Sequence, residues 1–193
     1  MDEPEQVTAR RSDETRARIL RAARESFAAD GYERTTIRAV AAKADIDPSM
    51  VMRYFGNKDG LFAAAASFDL RLPDLGTHPR QKLGVALVRH FLARWEGDAS
   101  DNALRVLLKT AASHDRAAER MREIFRSQLV PALAAVVPKN EAAARAGLVA
   151  TQMLGLAFCR YVLRLPGIVD LGHDAIAARL GPTIQRYLSD SLR

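Results

Sequence analysis

Hydrophobic residues recur every three or four positions along most of this 193-residue chain, with polar residues between them. Ile19, Leu20, Ala23 and Phe27 show this spacing, which predicts a helix with one buried face. Long alanine- and leucine-rich stretches with few alternating β-branched residues favour an all-α protein. Capping and breaking residues divide the pattern into about nine helices, which we predict at residues 12–31, 36–44, 48–55, 58–72, 79–95, 101–113, 115–136, 140–165 and 173–188.

The second and third predicted helices are short and are joined by a tight turn at Asp45 and Ile46. Asp47 is an N-cap residue, and Pro48 takes the first turn of the next helix, where a missing N–H costs nothing. Two steeply crossing helices need a small residue where they approach each other, and Ala41 provides one. The apolar residues placed to hold the crossing angle are Val40, Ile46 and Val51. The stretch therefore predicts a helix-turn-helix.

The second helix of this pair presents outward residues that suit the major groove of DNA, namely Pro48, Ser49, Met50, Arg53 and Tyr54. Serine can contact a base or a phosphate, methionine can touch a thymine methyl group, and arginine can bond guanine. A plain helical hairpin within a bundle is the alternative interpretation of the same pattern.

The formal net charge of +6 does not by itself locate a DNA-binding surface. Residues 1–60 contain as many acidic as basic side chains, so the whole excess falls in residues 61–193. Position in the fold, rather than bulk charge, must define the interface.

Other functional classes lack a visible signature. The single cysteine, Cys159, excludes a disulfide within the chain and fits a reducing cytoplasm. The histidines show no metal-ligand spacing, and no phosphate-binding glycine loop or nucleophile elbow is present. The uncharged run Ala146–Cys159 is too short to span a bilayer, and the polar first residues show no signal peptide. We expect a cytoplasmic protein that is not an enzyme, needs no metal or cofactor and does not enter a membrane.

The stretch from Thr15 to Phe62, "TRARILRAARESFAADGYERTTIRAVAAKADIDPSMVMRYFGNKDGLF", resembles the N-terminal part of the tetracycline-repressor (TetR) family of bacterial transcription regulators. The shared features are the Ile-Leu, Ala-Ala and Phe spacing of the first helix, Gly31-Tyr32, Thr35-Thr36-Ile37, Ala41 and Ala44, Arg53-Tyr54-Phe55, Asn57-Lys58 and Leu61-Phe62. Two positions depart from the family pattern. Asp45 stands where glycine is usual, and Met52 replaces an aromatic residue that commonly touches a phosphate in the family.

The resemblance implies an N-terminal three-helix DNA-binding head and a larger C-terminal helical bundle. We predict an arm and DNA-binding domain at residues 1–57, a connecting helix and linker at 58–76, and a ligand-binding and dimerisation domain at 77–193. Bases would be read by Ser49, Met50 and Arg53, and phosphates would be bound by Tyr54 and Lys58. Residues implied in DNA contact are Arg10, Arg11, Thr36, Arg38, Pro48, Ser49, Met50, Arg53, Tyr54 and Lys58. Arg10 and Arg11 would form a disordered arm along the DNA, with solvated tail charges as the alternative.

The same resemblance implies a homodimer formed by the last two long helices, bound to a pseudo-palindromic DNA operator. The interface residues that we predict are Gly147, Ala150, Leu154, Ala157, Phe158, Tyr161, Ile176, Leu180, Ile184 and Leu188. A monomer with a buried central helix is the alternative.

A small-molecule effector, which we expect to be hydrophobic, would bind the C-terminal body and release the DNA by moving the fourth helix. The pocket residues that we predict are Phe91, Trp95, Leu108, Met121, Phe125, Met153 and Phe158. A helical adaptor that acts through protein partners, without sequence-specific DNA binding, is the alternative function.

Overall fold

The computed structural model describes the backbone at residues 3–97, 102–112 and 114–192, and the side chains at residues 11–97, 104–112 and 114–192. Within this part of the chain every regular element is helical, which confirms the predicted all-α class. The α-helices are α1 (Glu3–Arg34), α2 (Ile37–Ala44), α3 (Pro48–Phe55), α4 (Lys58–Ala65), α5 (Leu83–Glu96), α6 (Asn102–Thr110), α7 (Asp115–Ile124), α8 (Val130–Ala134), α9 (Ala142–Ala157), α10 (Pro166–Val169) and α11 (His173–Ser189). The described residues also form two π-helical segments, Phe125–Leu129 and Phe158–Val162. They form two short 3-10 helices as well, Leu75–Thr77 and Arg80–Lys82.

The chain packs as two compact units, and each unit combines two stretches of sequence. The first unit consists of Met1–Ser67 and Asn102–Arg120, and the second of Phe68–Asp101 and Met121–Arg193. This division differs from the predicted one in two respects. Helix α4 belongs to the first unit because it packs on α1, and α6 belongs there for the same reason although it is distant in sequence.

An aromatic cluster holds the first unit together. The rings of Phe27 on α1 and Phe62 on α4 meet edge to face, with their centroids 5.1 Å apart, and Tyr32 lies at the same distance from Phe62. Val40 on α2 and Val51 on α3 are fully buried. Because each short helix buries at least one such side chain, the crossing of α2 and α3 is fixed against α1 and α4.

Helix α1 begins at Glu3 and is interrupted at Gly31, where φ is 76° and ψ is 176°, a conformation that glycine adopts readily. The predicted break at Gly31 is confirmed. The predicted frayed segment before residue 12 is wrong, because no proline or glycine interrupts the sequence from Glu5 to Asp30 and the helix continues through it. Arg10 and Arg11 thus belong to α1 rather than to a separate arm, and the side chain of Arg10 lies outside the described residues.

Helix α4 ends at Ala65, so the predicted extension of this helix to Leu72 is wrong. The chain beyond Ser67 is held in a non-helical course by the side chain of Gln128 in the second unit. That amide donates to the carbonyl of Phe68 at 2.9 Å and accepts from the amide of Leu70 at 2.7 Å. These bonds replace the helical ones, and a left-handed residue follows at Arg71 with φ of 46°.

The second unit is built around α5, α9 and α11, whose core side chains include Leu87, Val88, Met153 and Ile184. Helices α5 and α11 approach closely because glycines face each other across the contact. A Cβ placed on Gly84 would lie 2.2 Å from the carbonyl oxygen of Gly181. The structure of this pair therefore depends on the absence of a side chain there.

The predicted helix over residues 115–136 is divided into α7, a π-helical segment and α8. Pro131, which we expected to kink the helix, lies two residues after the end of the π-helical segment and has no N–H to donate to the preceding turn. The predicted helix over residues 140–165 likewise passes from α9 into a π-helical segment that ends at Val162.

A network around Glu96 joins the end of α5 to the C-terminal part of the second unit. Its Oε1 accepts from Arg160 Nε at 2.8 Å and from the Tyr161 hydroxyl at 2.7 Å, and its Oε2 lies 2.6 Å from His173 Nε2. Arg160 also donates to the carbonyl oxygens of Ile168, Val169 and Leu171. The carboxylate thus ties the second π-helical segment to the start of α11.

The continuous helical stretch Ala142–Val162 is 21 residues long, and an 18-residue window within it has a mean hydropathy of 1.3, so by length and composition it is apolar enough to cross a membrane. The shorter run judged from sequence, Ala146–Cys159, underestimated it. The core helix of a soluble protein meets the same criterion. Here Ala146, Val149, Met153 and Ala157 pack one face of the helix into the core of the second unit.

Candidate nucleic-acid interface

The turn between α2 and α3 is closed by backbone hydrogen bonds. Asp45 adopts the left-handed conformation, with φ of 52° and ψ of 54°, and its amide donates to the carbonyl of Ala42 at 3.2 Å. The amide of Ile46 donates to the carbonyl of Ala41 at 3.0 Å. Aspartate tolerates this conformation better than most side chains, which explains how it replaces glycine in the turn.

Arg18 on α1 supports this turn and was not identified from the sequence. Its guanidinium donates to the carbonyl oxygens of Ala44 at 2.7 Å and Asp45 at 3.1 Å, and lies 3.8 Å from the carboxylate of Asp45. It caps the end of α2 and places a positive charge beside the exposed carboxylate. The sequence offers no local signal for this contact, because the two positions are related only by the packing of α1 against α2.

The start of α3 is fixed by Asp47, as its capping position predicts. Its Oδ1 accepts from the Ser49 amide at 2.8 Å and from the Ser49 hydroxyl at 2.5 Å. Hydrogen bonds from the hydroxyl and the amide lower the pKa of Asp47 below its usual value. Because the hydroxyl proton of Ser49 is directed at Asp47, the lone pairs of that oxygen remain to accept a hydrogen bond from an amino group on a base edge.

The residues predicted to face outward from α3 differ in their exposure. Pro48, Ser49 and Arg53 are exposed, whereas Met50 and Tyr54 are only half-exposed. The Tyr54 hydroxyl lies 3.0 Å from the Ser12 hydroxyl on α1, a packing role within the first unit. Met52 is exposed and joins this face, although the sequence interpretation had treated it only as a missing aromatic contact.

The predicted contacts on α2 and α4 lie at the ends of those helices or on their exposed surface. Thr36 caps α2, accepting from the Ala39 amide at 3.1 Å, and its hydroxyl proton is free to reach a phosphate. Arg38 is exposed and makes no ion pair or hydrogen bond within the described residues. Lys58 donates to the carbonyl of Glu33 at 3.0 Å and lies 4.4 Å from the ring centroid of Tyr32, so two of its ammonium protons remain for DNA.

A junction in the first unit connects α4 to α1 and α7. The hydroxyl of Tyr32 donates to one oxygen of Asp59, and Arg116 Nε lies 3.2 Å from the other. Burial raises the pKa of Tyr32 to about 12, and its hydrogen bond to Asp59 acts in the same direction. The first turn of α4, which carries Lys58, is therefore anchored from two sides.

The predicted interface residues of the body divide into two groups. Ile176, Ile184, Leu188 and Ala157 are buried in the core of their own unit, and their assignment to a contact with a second subunit stays a prediction. An apolar stripe in the sequence of a helix does not indicate whether the core of the same chain or a second subunit covers it. The remaining predicted residues are at least partly accessible, and they are Gly147, Ala150, Leu154, Phe158, Tyr161 and Leu180.

The predicted pocket residues are distributed over both units. Leu108 belongs to the first unit, and the other six belong to the second. Trp95 and Met153 are buried, whereas Phe158 is exposed. The described residues form a cavity of about 410 Å³ in the first unit and another of about 500 Å³ in the second. None of the seven predicted pocket residues lines either of these two cavities.

The fold and the exposed, capped α3 define a DNA-binding protein of the helix-turn-helix class. Residues 19–65 match the family model described as "Bacterial regulatory proteins, tetR family", and residues 81–188 match "Tetracyclin repressor-like, C-terminal domain". No curated protein matches the chain significantly. The chain belongs to the TetR family of bacterial transcription regulators, in agreement with its resemblance at residues 15–62.

Solved structures agree with this assignment. A TetR-family regulator from Streptomyces coelicolor A3 is 30% identical, and the alignment covers 91% of this chain and 95% of that chain with a TM-score of 0.63. A TetR-like transcriptional regulator from Rhodococcus sp. RHA1 is 21% identical over 92% and 97%, with a TM-score of 0.65. NalD of Pseudomonas aeruginosa, the secondary repressor of the MexAB-OprM multidrug efflux pump, is 20% identical over 93% and 100%, with a TM-score of 0.68. The last two share the fold with this chain.

Proposed function

We propose that the protein is a repressor that binds a pseudo-palindromic operator as a homodimer and is released by a small hydrophobic effector. It acts in the cytoplasm, where bacterial DNA is accessible. The observation that carries the proposal is the exposed face of α3, where Pro48, Ser49 and Arg53 stand on a helix fixed at its start by Asp47. N-terminal residues of a recognition helix contact base edges in the major groove.

Contacts with phosphates and with bases divide between different side chains. Arg53 is exposed and makes no ion pair within the described residues, so its guanidinium is free to bond guanine. Thr36, Arg38 and Lys58 surround α3 and bind phosphates, which position the protein without reading sequence. Arg11, which is exposed on α1, is assigned to a phosphate contact as well. Binding accordingly weakens as salt rises.

The exposed face of α9 and of the π-helical segment after it supports the homodimer. Leu148 and Phe158 leave 39% and 40% of their surface exposed, which gives this face apolar surface for a contact. A Cβ on Gly147 or Gly155 would meet nothing within 4 Å, so the packing of the chain itself does not require glycine there. A second copy of the helix is a suitable cover, because glycines let two helix backbones approach. We therefore place the interface on this face rather than on the buried stripe of α11.

Release by an effector requires a body with two conformations. The interior of the second unit is apolar, which favours a hydrophobic ligand. Binding would favour a conformation in which α4, now limited to Lys58–Ala65, moves and carries α3 with it. The two recognition helices of the dimer would then no longer match adjacent turns of the groove.

Selection of binding sites from a random DNA pool, repeated at two salt concentrations, tests the proposal. Recovery of one pseudo-palindromic motif whose half-sites lie about one helical turn apart supports it, with affinity falling as salt rises. Uniform binding to all sequences, or no binding, contradicts it. In that case capture of a protein partner by the body would support the adaptor alternative.

A further inference from the structure

Met52 is a large apolar side chain that the fold leaves in solvent. It exposes 44% of its surface, whereas its neighbour Val51 is fully buried and closes the core of the first unit. No packing requirement of the described residues accounts for methionine at this position. Exposed apolar side chains on a surface that binds a partner are often part of the contact.

The position of Met52 on α3 directs it toward the same surface as the predicted base contacts. It lies four residues after Pro48, three after Ser49 and directly before Arg53, and all three are exposed. Residues three and four apart share one face of a helix. When α3 lies in the major groove, Met52 is therefore among the side chains nearest to the base edges.

The chemistry of a thioether restricts what it can read. Methionine donates no hydrogen bond, and its sulfur is a weak acceptor, so it cannot replace the phosphate contact of an aromatic hydroxyl. It is flexible and polarizable and fills irregular apolar surfaces. In the major groove the apolar feature that distinguishes one base from the others is the C5-methyl group of thymine.

We propose that Met52 is a specificity-determining residue that recognises the methyl group of one thymine in each operator half-site. This inference rests on the proposed operator binding by α3. The exchange of the family's aromatic residue for methionine thus replaces a phosphate contact with a base contact.

Met50 is the competing methionine, since the sequence interpretation assigned the thymine contact to it. Met50 is only half-exposed, and its amide donates to the carbonyl of Asp47 in the first turn of α3. The structure favours Met52 because a larger part of its side chain is accessible, on the face that also carries Pro48 and Ser49. The two assignments can be separated by experiment.

The test uses the operator recovered by site selection, with each thymine replaced in turn by deoxyuridine, which lacks only the methyl group. Wild-type protein should lose roughly three- to fivefold in affinity per half-site at one thymine, the effect of leaving one methyl group unburied. Met52→Ala should bind the thymine and deoxyuridine operators equally well. Met52→Leu, which keeps an apolar side chain, should retain sensitivity to the methyl group, and Met50→Ala should retain it fully.

Circular dichroism and thermal unfolding show whether each variant is folded, and Met52→Gln provides a second variant of similar size without the apolar surface. Equal binding of wild type to all substituted operators overturns the inference. Loss of methyl sensitivity in Met50→Ala but not in Met52→Ala also overturns it. Failure to recover any operator refutes the proposed function itself, and the inference with it, whereas an operator without methyl dependence refutes the inference alone.

Discussion

A single methyl group at Gly84 tests the packing of the second unit. A Cβ on this residue would lie 2.2 Å from the carbonyl oxygen of Gly181 and 2.7 Å from the amide nitrogen of Gln185. Both are backbone atoms of α11, so a change of rotamer cannot relieve the overlap. Gly84→Ala must therefore push α5 away from α11 by roughly 1 Å, and close-packed interiors transmit such a shift to their neighbours.

The cost follows from the size of the overlap. Overpacking a well-packed core typically costs about 1–3 kcal/mol, and a clash between backbones belongs in the upper part of that range. The higher helix propensity of alanine compared with glycine offsets up to about 1 kcal/mol of this loss in the free energy of unfolding. We therefore expect Gly84→Ala to lower the free energy of unfolding by about 1–2 kcal/mol.

The assay is urea denaturation followed by circular dichroism, at one protein concentration for all variants because the proposed dimerisation would contribute to stability. Gly167→Ala is the matched control, since a Cβ there would meet nothing within 4 Å and should have little effect. A Gly84→Ala protein as stable as the wild type would refute the close contact of α5 and α11.

Three further predictions concern the Glu96 network, the turn of the DNA-binding unit and the dimer. Burial alone raises the pKa of Glu96, but hydrogen bonds from Arg160, Tyr161 and His173 outweigh it and lower the pKa to about 2. The Glu96 carboxylate contributes stability to the folded state above its unfolded pKa of 4.5, and this contribution is lost as pH falls toward 2. Glu96→Gln should therefore lower the free energy of unfolding by about 1–2 kcal/mol at pH 7, after allowance for solvent exposure, and should make that free energy depend less on pH below 4.5. An unchanged pH dependence in acid contradicts this prediction. Arg18→Ala should lower the free energy of unfolding by about 1 kcal/mol in urea denaturation, because two carbonyl groups at the end of α2 lose their hydrogen-bond donor. It should also weaken operator binding in fluorescence anisotropy, because the negative charge of Asp45 loses its neighbouring positive charge. Unchanged binding would show that the Asp45 charge needs no neutralisation by Arg18. Phe158→Glu should yield monomers in sedimentation equilibrium, and a stable dimer in this variant would place the interface elsewhere.

Much of the DNA-binding unit could be predicted from sequence because its signals are local. The capping serine, threonine and aspartate positions act within three residues, so Thr36 and Asp47 fix the starts of α2 and α3 where the sequence places them. At the crossing Val40, Ala41 and Val51 are buried as predicted, whereas Ile46 is partly exposed. Helix-turn-helix geometry is thus encoded in a short stretch.

The remaining features depend on contacts between distant residues. The non-helical course of the chain after Ser67 involves Gln128, which bonds the backbone at Phe68 and Leu70 more than fifty residues earlier. Arg18 reaches the turn at Asp45 through the packing of α1 on α2. Periodicity alone could not decide whether the stripe of α11 faces its own core or a partner. Exposure likewise had to be seen in three dimensions before Met52 could be placed on the binding face.

The most direct test of operator recognition by α3 compares wild type with Arg53→Ala on the selected operator and on a scrambled duplex. Fluorescence anisotropy measures these four affinities at each of two salt concentrations, and Lys58→Ala serves as the control for a phosphate contact. Arg53→Ala should reduce the preference for the operator by roughly tenfold or more per half-site, since a good bidentate base contact contributes about 1–3 kcal/mol, whereas Lys58→Ala should weaken both duplexes alike. If Arg53→Ala keeps the full preference for the operator, α3 does not read the bases through Arg53 and the account is contradicted.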